Sequence, residues 1–136
     1  MHGLKIEYDI PVRTYDIDYA GHVSNIAYLR WFEDMRSMLF EKYFPLQSFM
    51  EEGKTPVIVS HFVQYKRPIR LFDKPRAVMW ISEIGAAKMV LKAEIRVDEI
   101  LMTTVEHVGV FIDIGTARPI RMPQKCLKLF QEAAQT

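Results

Sequence analysis

The chain reads as an α+β domain in which an antiparallel sheet packs against one long helix. Three observations predict this: an N-terminal segment of period two, a single stretch of helical period over residues 25–43, and a run of strand-like segments separated by short turns behind it. At 136 residues the chain has length for one domain, spanning 1–136, with a real core, and too little for two comfortable ones.

From Lys5 to Thr14, Ile6, Tyr8, Ile10, Val12 and Thr14 alternate with Lys5, Glu7, Asp9, Pro11 and Arg13, the pattern of a half-buried strand. Pro11 has no N–H for a ladder, which puts this strand near an edge or places a bulge in it. Over Asn25 to Tyr43, Arg30, Glu33, Asp34, Ser37 and Glu41 share one helical stripe, while Leu29, Trp31, Phe32, Met35, Leu39 and Tyr43 occupy the remainder. That polar stripe is narrow, so the helix is expected to be covered on most sides, as by a curved sheet, and to end at Pro45.

Four further strands are expected at Thr55–Tyr65, Arg76–Ile84, Lys88–Val97 and Leu101–Ile114. In the third of these, Met89, Leu91, Ala93, Ile95 and Val97 alternate with Lys88, Lys92, Glu94 and Arg96, with Val90 the one exception. The connections Gly85-Ala86-Ala87 and Asp98-Glu99-Ile100 are short enough for hairpins, so the last three strands form a meander. Arg118 to Pro123 then leads into a C-terminal helix, roughly Gln124 to Ala134. Long strands with edges to protect, and more apolar residues than one helix can cover, argue for sheets that pair between subunits.

Composition excludes several function classes. Lys and Arg number 18 against 17 Asp and Glu, and a formal net charge of +1 supplies no basic field for nucleic acid. The single Cys126 cannot form an intrachain disulfide, and the N-terminus Met1 to Asp9 lacks the apolar run of a secretory peptide, so a cytoplasmic location is the expectation. No apolar run approaches the roughly 20 residues needed to cross a bilayer, which argues against a membrane partner.

The segment richest in chemistry is Arg13 to Asn25, where Asp16, Asp18 and Gly21 lie between a strand pattern and a helix pattern. A helix start offers unpaired N–H groups and the positive end of a dipole, which can polarise a carbonyl held beside a carboxylate. Two nearby carboxylates can also raise one another's pKa. On residue type alone, Asp18 reads equally as a turn aspartate bonding its own backbone. Ser24 reads first as the helix N-cap. His61 and His107 sit inside strand patterns far from His22, and no Cys/His spacing suits zinc, so neither a metal nor another cofactor is expected. Ser60 and Cys126 have neither a G-x-S-x-G elbow nor a base partner visible in the sequence, which argues against Ser or Cys nucleophiles.

Tyr15-Asp16-Ile17-Asp18-Tyr19-Ala20-Gly21-His22-Val23-Ser24-Asn25, followed by Tyr28, Trp31, Phe32, Glu33 and Arg36, resembles the 4-hydroxybenzoyl-CoA thioesterase family of hotdog-fold acyl-CoA thioesterases. The likeness continues through Thr55 to Val59, Tyr65-Lys66-Arg67-Pro68 with Asp73, and the Arg118 to Pro123 segment. It implies a hotdog fold, an antiparallel five- or six-stranded sheet wrapped around one long central helix. It also implies homodimers with one continuous sheet, assembling to homotetramers, with sites at the dimer interface. Carried over by position, the catalytic carboxylate falls on Asp18 and the carbonyl-polarising backbone N–H on Asn25. Other members often have two asparagines after the His-Val pair, where this chain has Ser24-Asn25.

The implied reaction is hydrolysis of an acyl-CoA or acyl-carrier-protein thioester, with Asp18 as nucleophile or as general base for water. Asp16 is expected to brace the turn that aims Asp18. His22, Ser24 and Lys88 are the substrate-binding candidates, Lys88 because it follows the Gly85-Ala86-Ala87 turn where related enzymes place nucleotide-binding residues. Lys66, Arg67, Arg70, Arg118 and Arg121 are further candidates for coenzyme A phosphates. Two other readings compete. A phosphatase using Asp16-Ile17-Asp18 as a D-x-D pair would want a continuous apolar strand just before it, where Arg13-Thr14-Tyr15 stands. A non-catalytic acyl-thioester-binding module would have no need of Asp18.

Overall fold

The computed structural model describes residues 3–134, so Met1, His2, Gln135 and Thr136, the ends of the expected span, lie outside the described residues. Strand β1 (Lys5–Asp9) is followed by helix α1 (Asn25–Tyr43) and a short helix α2 (Leu46–Glu51). Then come β2 (Lys54–Tyr65), β3 (Arg76–Ile84), β4 (Met89–Val97), β5 (Ile100–Asp113), a two-residue β6 (Pro119–Ile120) and helix α3 (Gln124–Ala134). The strands make one six-stranded sheet in the order β1-β3-β4-β5-β2, every pairing antiparallel. β6 pairs with Phe111 and Ile112 of β5, which β2 already flanks on one edge, so it takes over the other edge where β4 ends.

The expected first strand stops early. Ile10 still donates its N–H to the Pro75 carbonyl at 3.0 Å, but Pro11 has no N–H to offer and the chain turns away into a single 3-10 turn at Thr14–Asp16. Helix α1 has the expected bounds, and Phe44 closes it by donating to the Phe40 carbonyl at 2.7 Å. Pro45 ends one helix and immediately caps α2, a short helix the hydrophobic pattern did not indicate. The strict β3–β4–β5 meander forms as expected, and the Val90 exception has a local cause. A bulge at Ser82 shifts the register, so that Ile81 faces Leu91 while Glu83 faces Val90, and Ser82 donates its hydroxyl to the Val90 carbonyl at 3.2 Å.

The core lies between α1 and the sheet. Ala27, Tyr28, Trp31, Phe32, Met35, Leu39 and Phe40 of α1 pack with Ile6, Met79, Leu91, Ala93, Ile95 and Val105 of the strands. Phe32, Met35 and Leu39 are fully buried, the outcome of apolar residues recurring every three to four positions. The opposite face of α1 stays open and carries Ile26 and Leu29 beside the polar stripe. Strand β2 is the other open edge, and Val59, Phe62 and Tyr65 are exposed along it. Among the described residues no helix is long and apolar enough to cross a membrane.

Candidate active site

The segment between β1 and α1 is a tightly bonded loop. The buried Asp16 carboxylate accepts the Arg13 N–H through Oδ2 at 2.8 Å, while the Asp16 carbonyl accepts the Ser24 N–H at 2.8 Å. One residue thereby holds both ends of the loop. Inside it Ile17 and Val23 form an antiparallel bridge, Asp18 donates its N–H to the His22 carbonyl at 2.8 Å, and Gly21 closes the turn at φ +80°, a left-handed conformation that suits glycine. The Asp18 side chain faces into its own turn through one oxygen only. Oδ1 accepts the N–H groups of Ala20 at 2.9 Å and His22 at 3.2 Å, and Oδ2 has no hydrogen-bond partner among the described residues. Asp18 is therefore a turn-capping aspartate with one carboxylate oxygen to spare.

Ser24 caps α1, accepting the Ala27 N–H on Oγ at 3.2 Å and, on its carbonyl, the N–H groups of Ala27 and Tyr28 at 3.0 and 3.3 Å. That leaves the N–H groups of Asn25 and Ile26 without acceptors among the described residues, at the positive end of a nineteen-residue helix. Asp18, His22 and Asn25 line one side of a cavity of about 280 Å³, with Tyr65, Lys66 and Arg67 on the other and Tyr28 between them. The second wall is anchored to the first. Val23 donates its N–H to the carbonyl of the fully buried Ile69 at 2.8 Å, and the N–H groups of Lys66 and Arg67 both bond the Met102 carbonyl of β5, at 2.8 and 3.1 Å.

Among the expected site residues, the fold thus brings Asp18, His22 and Asn25 together. Ser24 stands beside them with its hydroxyl committed to the helix cap. Lys88 does not join them within one protomer. It is exposed at the β3–β4 turn, next to Met89, which pairs with Gly109, whereas Tyr65 of the cavity pairs with Thr103 at the far end of β5. Six residues of strand separate those ends, roughly 20 Å at the usual rise. Lys66 and Arg67 are the cations that reach the cavity, and the sequence reading placed them only among several phosphate candidates.

Burial raises the Tyr28 and Tyr65 hydroxyls above the usual phenol range, so both are neutral walls. Among the described residues no group of three or more His, Cys, Asp and Glu is arranged to hold a metal ion.

A polar cluster that sequence spacing did not announce lies farther along the α1–β2 seam. His61 and His107, register partners on β2 and β5, approach Nδ1 to Nδ1 at 2.8 Å, and Arg36 Nη1 of α1 reaches the same His107 nitrogen at 3.3 Å. Forty-six residues separate the two histidines, so only the strand pairing reveals them.

A family model described as the thioesterase-like superfamily matches residues 12–130. No curated protein matches the chain. A DHNA-CoA thioesterase from Staphylococcus aureus superposes with a TM-score of 0.83 at 24% identity, covering 96% of this chain and 89% of its own. A 1,4-dihydroxy-2-naphthoyl-CoA thioesterase from Synechocystis gives 0.82 at 18% identity, covering 94% and 96%. A Thermus thermophilus thioesterase complexed with coenzyme A and zinc gives 0.80 at 21% identity, covering 99% and 96%.

Proposed function

This chain belongs to the thioesterase-like superfamily, whose chemistry is thioester hydrolysis, and we propose that it hydrolyses an acyl-CoA thioester with Asp18 as the catalytic carboxylate and the Asn25 backbone N–H as oxyanion donor. One observation carries the assignment. Two backbone N–H groups fix Asp18 Oδ1, while among the described residues Oδ2 has no hydrogen-bond partner and the helix-start N–H of Asn25, in the same small cavity, has no acceptor. A carbonyl oxygen seated on that N–H would lie in the same cavity as a carboxylate with one oxygen to spare.

In the general-base form, Asp18 takes a proton from water as the water oxygen attacks the carbonyl carbon, and the carbonyl electron pair moves onto the oxygen held by Asn25. Collapse of the tetrahedral species breaks the C–S bond, and the thiolate recovers a proton, leaving a free acid and the CoA thiol. In the nucleophilic form, Asp18 Oδ2 itself attacks, the thiolate leaves, and water hydrolyses the resulting anhydride. Both forms use the same two groups. Asp16 would act one step back, through the loop whose two ends it bonds.

Coenzyme A suits the second wall, where Lys66 and Arg67 line the cavity and offer cations for its phosphates. A similar Thermus thermophilus thioesterase was solved with coenzyme A, which supports the choice of carrier. The open β2 edge, with Val59, Phe62 and Tyr65 exposed, and the apolar Ile26 and Leu29 on the open face of α1 support a second copy seated there, giving a dimer that pairs into a tetramer. Light scattering tests the assembly: a stable particle of 15.9 kDa overturns it.

The activity test is release of CoA from a panel of short, long and aromatic acyl-CoAs, with Asp18→Asn alongside. The expected loss in kcat for the variant is about 100- to 10,000-fold. No release by the parent protein, or full activity in the variant, overturns the assignment.

A further inference from the structure

The two loops that meet beside Asp18, residues 10–24 and 66–75, sort their charges by sign. Their carboxylates are turned onto backbone N–H groups: Asp16 on Arg13, Asp18 on Ala20 and His22, and Asp73 on Arg70 at 2.9 Å. Their cations, Arg13, Lys66, Arg67, Arg70 and Lys74, are all exposed, and none is in an ion pair within 4 Å among the described residues. The whole chain carries only +1, so the positive field is local to these loops. Phe72 stands among the cations in the Arg70–Asp73 turn, 89% exposed and outside the core. The patch around Phe72 lies away from the β2 edge where a second copy is seated. The 66–75 loop crosses from β2 to β3, and its second half reaches β1, the opposite edge of the sheet. There Ile10 bonds the Pro75 carbonyl, and Pro11 and Val12 share a groove with Asp73 and Lys74.

From this arrangement we infer that the Arg13, Arg70, Phe72 and Lys74 patch docks an acidic carrier protein, which presents its acyl group to Asp18 on a pantetheine arm. The inference rests on the thioesterase reading and adds a second carrier for the same thioester. Lys66 and Arg67 already line the cavity and serve the phosphates of either arm. Arg13, Arg70 and Lys74 extend away from the cavity toward β1, where a macromolecular surface can engage them together and a small carrier has no need of them. An exposed aromatic ringed by cations fits a protein partner of negative charge, with the ring as buried anchor and the cations setting approach and orientation. A lone phenylalanine supplies too little apolar area to favour an anionic lipid surface instead. The patch is also within reach of the chemistry. Phe72 is three residues from Ile69, at most about 11 Å of chain, and the Ile69 carbonyl is bonded to Val23 of the Asp18 loop.

The test compares kcat/KM for one acyl group carried by CoA and by an acidic acyl carrier protein, at low and high ionic strength. The proteins are the parent, Phe72→Ala/Lys74→Glu and the charge-keeping Lys74→Arg. At low ionic strength the parent should favour the carrier protein by about tenfold or more, and added salt should close the gap. Phe72→Ala/Lys74→Glu should lose about tenfold on the carrier protein while staying within about twofold on the CoA ester, and Lys74→Arg should match the parent on both. No preference for the carrier protein in the parent overturns the inference, as does an equal loss on both substrates or no loss on either. If neither thioester is cleaved, the hydrolase reading fails separately and calorimetry with the carrier protein decides. Binding that is lost in Phe72→Ala/Lys74→Glu supports the docking face, and no binding by the parent overturns it. Flotation of the parent with phosphatidylglycerol vesicles, without binding to the carrier protein, overturns it in favour of a lipid surface.

Discussion

His61 Nδ1 and His107 Nδ1 lie 2.8 Å apart, and the proton between them belongs to His61. Arg36 Nη1, which can only donate, also points at His107 Nδ1 from 3.3 Å, so that nitrogen must be the acceptor of both bonds. His107 therefore carries its own proton on Nε2, which is buried and has no partner among the described residues. Burial, then the Arg36 and His61 charges, pushes its pKa down to about 3. An unfolded histidine titrates near 6.5, so between about pH 6.5 and 3 the unfolded chain binds a proton that the folded chain refuses. Stability is full above about 6.5 and is lost as pH falls through that window, by up to about 1.4 kcal/mol per pH unit for this one group. His61, whose pKa is also lowered, chiefly by burial, acts in the same direction. Urea melts at pH 7, 6, 5 and 4 should show a steeper decline for the parent than for His107→Gln; equal slopes refute the assignment.

Asp16 and Asp18 are expected to separate stability from activity. Asp16→Ala removes a buried carboxylate and with it the acceptor of the Arg13 N–H, a charge-assisted bond that typically contributes about 1.5–3 kcal/mol. Asp18→Asn keeps an oxygen for the Ala20 and His22 N–H groups and should hold the parent midpoint within about 0.5 kcal/mol while activity is lost. Chemical denaturation of the two variants side by side reads this directly, and an Asp18→Asn midpoint as low as that of Asp16→Ala contradicts it.

Most of the framework was legible because periodicity survives in this sequence wherever an element has one buried face. Asn25–Tyr43, Arg76–Ile84 and Gln124–Ala134 have the bounds their patterns indicate. The exceptions are places where a tertiary partner overrides the local pattern. Val12 continues the alternation of β1, but no strand lies beside it once Pro11 has interrupted the ladder. Val90 breaks the alternation of β4 because Ser82 bulges on the neighbouring strand. At the site, the residue types near Asp18 were visible in one contiguous segment, whereas Tyr65, Lys66 and Arg67 reach it only through the β2–β5 pairing and the Ile69 contact. No local spacing encodes that meeting.

The β4–β5 hairpin is closed by Asp98 and Glu99, both at positive φ, +50° and +67°. Val97 pairs with Ile100, so these two residues are the whole loop, a geometry in which Asn and Gly are the favoured pair. A side chain in the left-handed region costs roughly 1–2 kcal/mol, less for Asp than for Glu. Glu99→Gly should therefore raise stability by about 0.5–1 kcal/mol after the added entropy of glycine in the unfolded chain is subtracted. Thermal melts of the parent and variant decide it, and a lower midpoint for Glu99→Gly sinks the argument.

Cys126 is fully buried near the start of α3, and burial pushes its thiol up to about 12, with Lys125 opposing only in part. Attack on a disulfide reagent needs both the thiolate and access, and the folded chain supplies neither. The native protein should resist an aromatic disulfide reagent at pH 8 for as long as it stays folded, and one thiol per chain should react at once in concentrated guanidinium. Between those limits the labelling rate should follow the unfolded fraction as denaturant rises. Rapid labelling without denaturant would mean that α3 undocks on its own, since Cys126 can be reached only if its helix leaves the core.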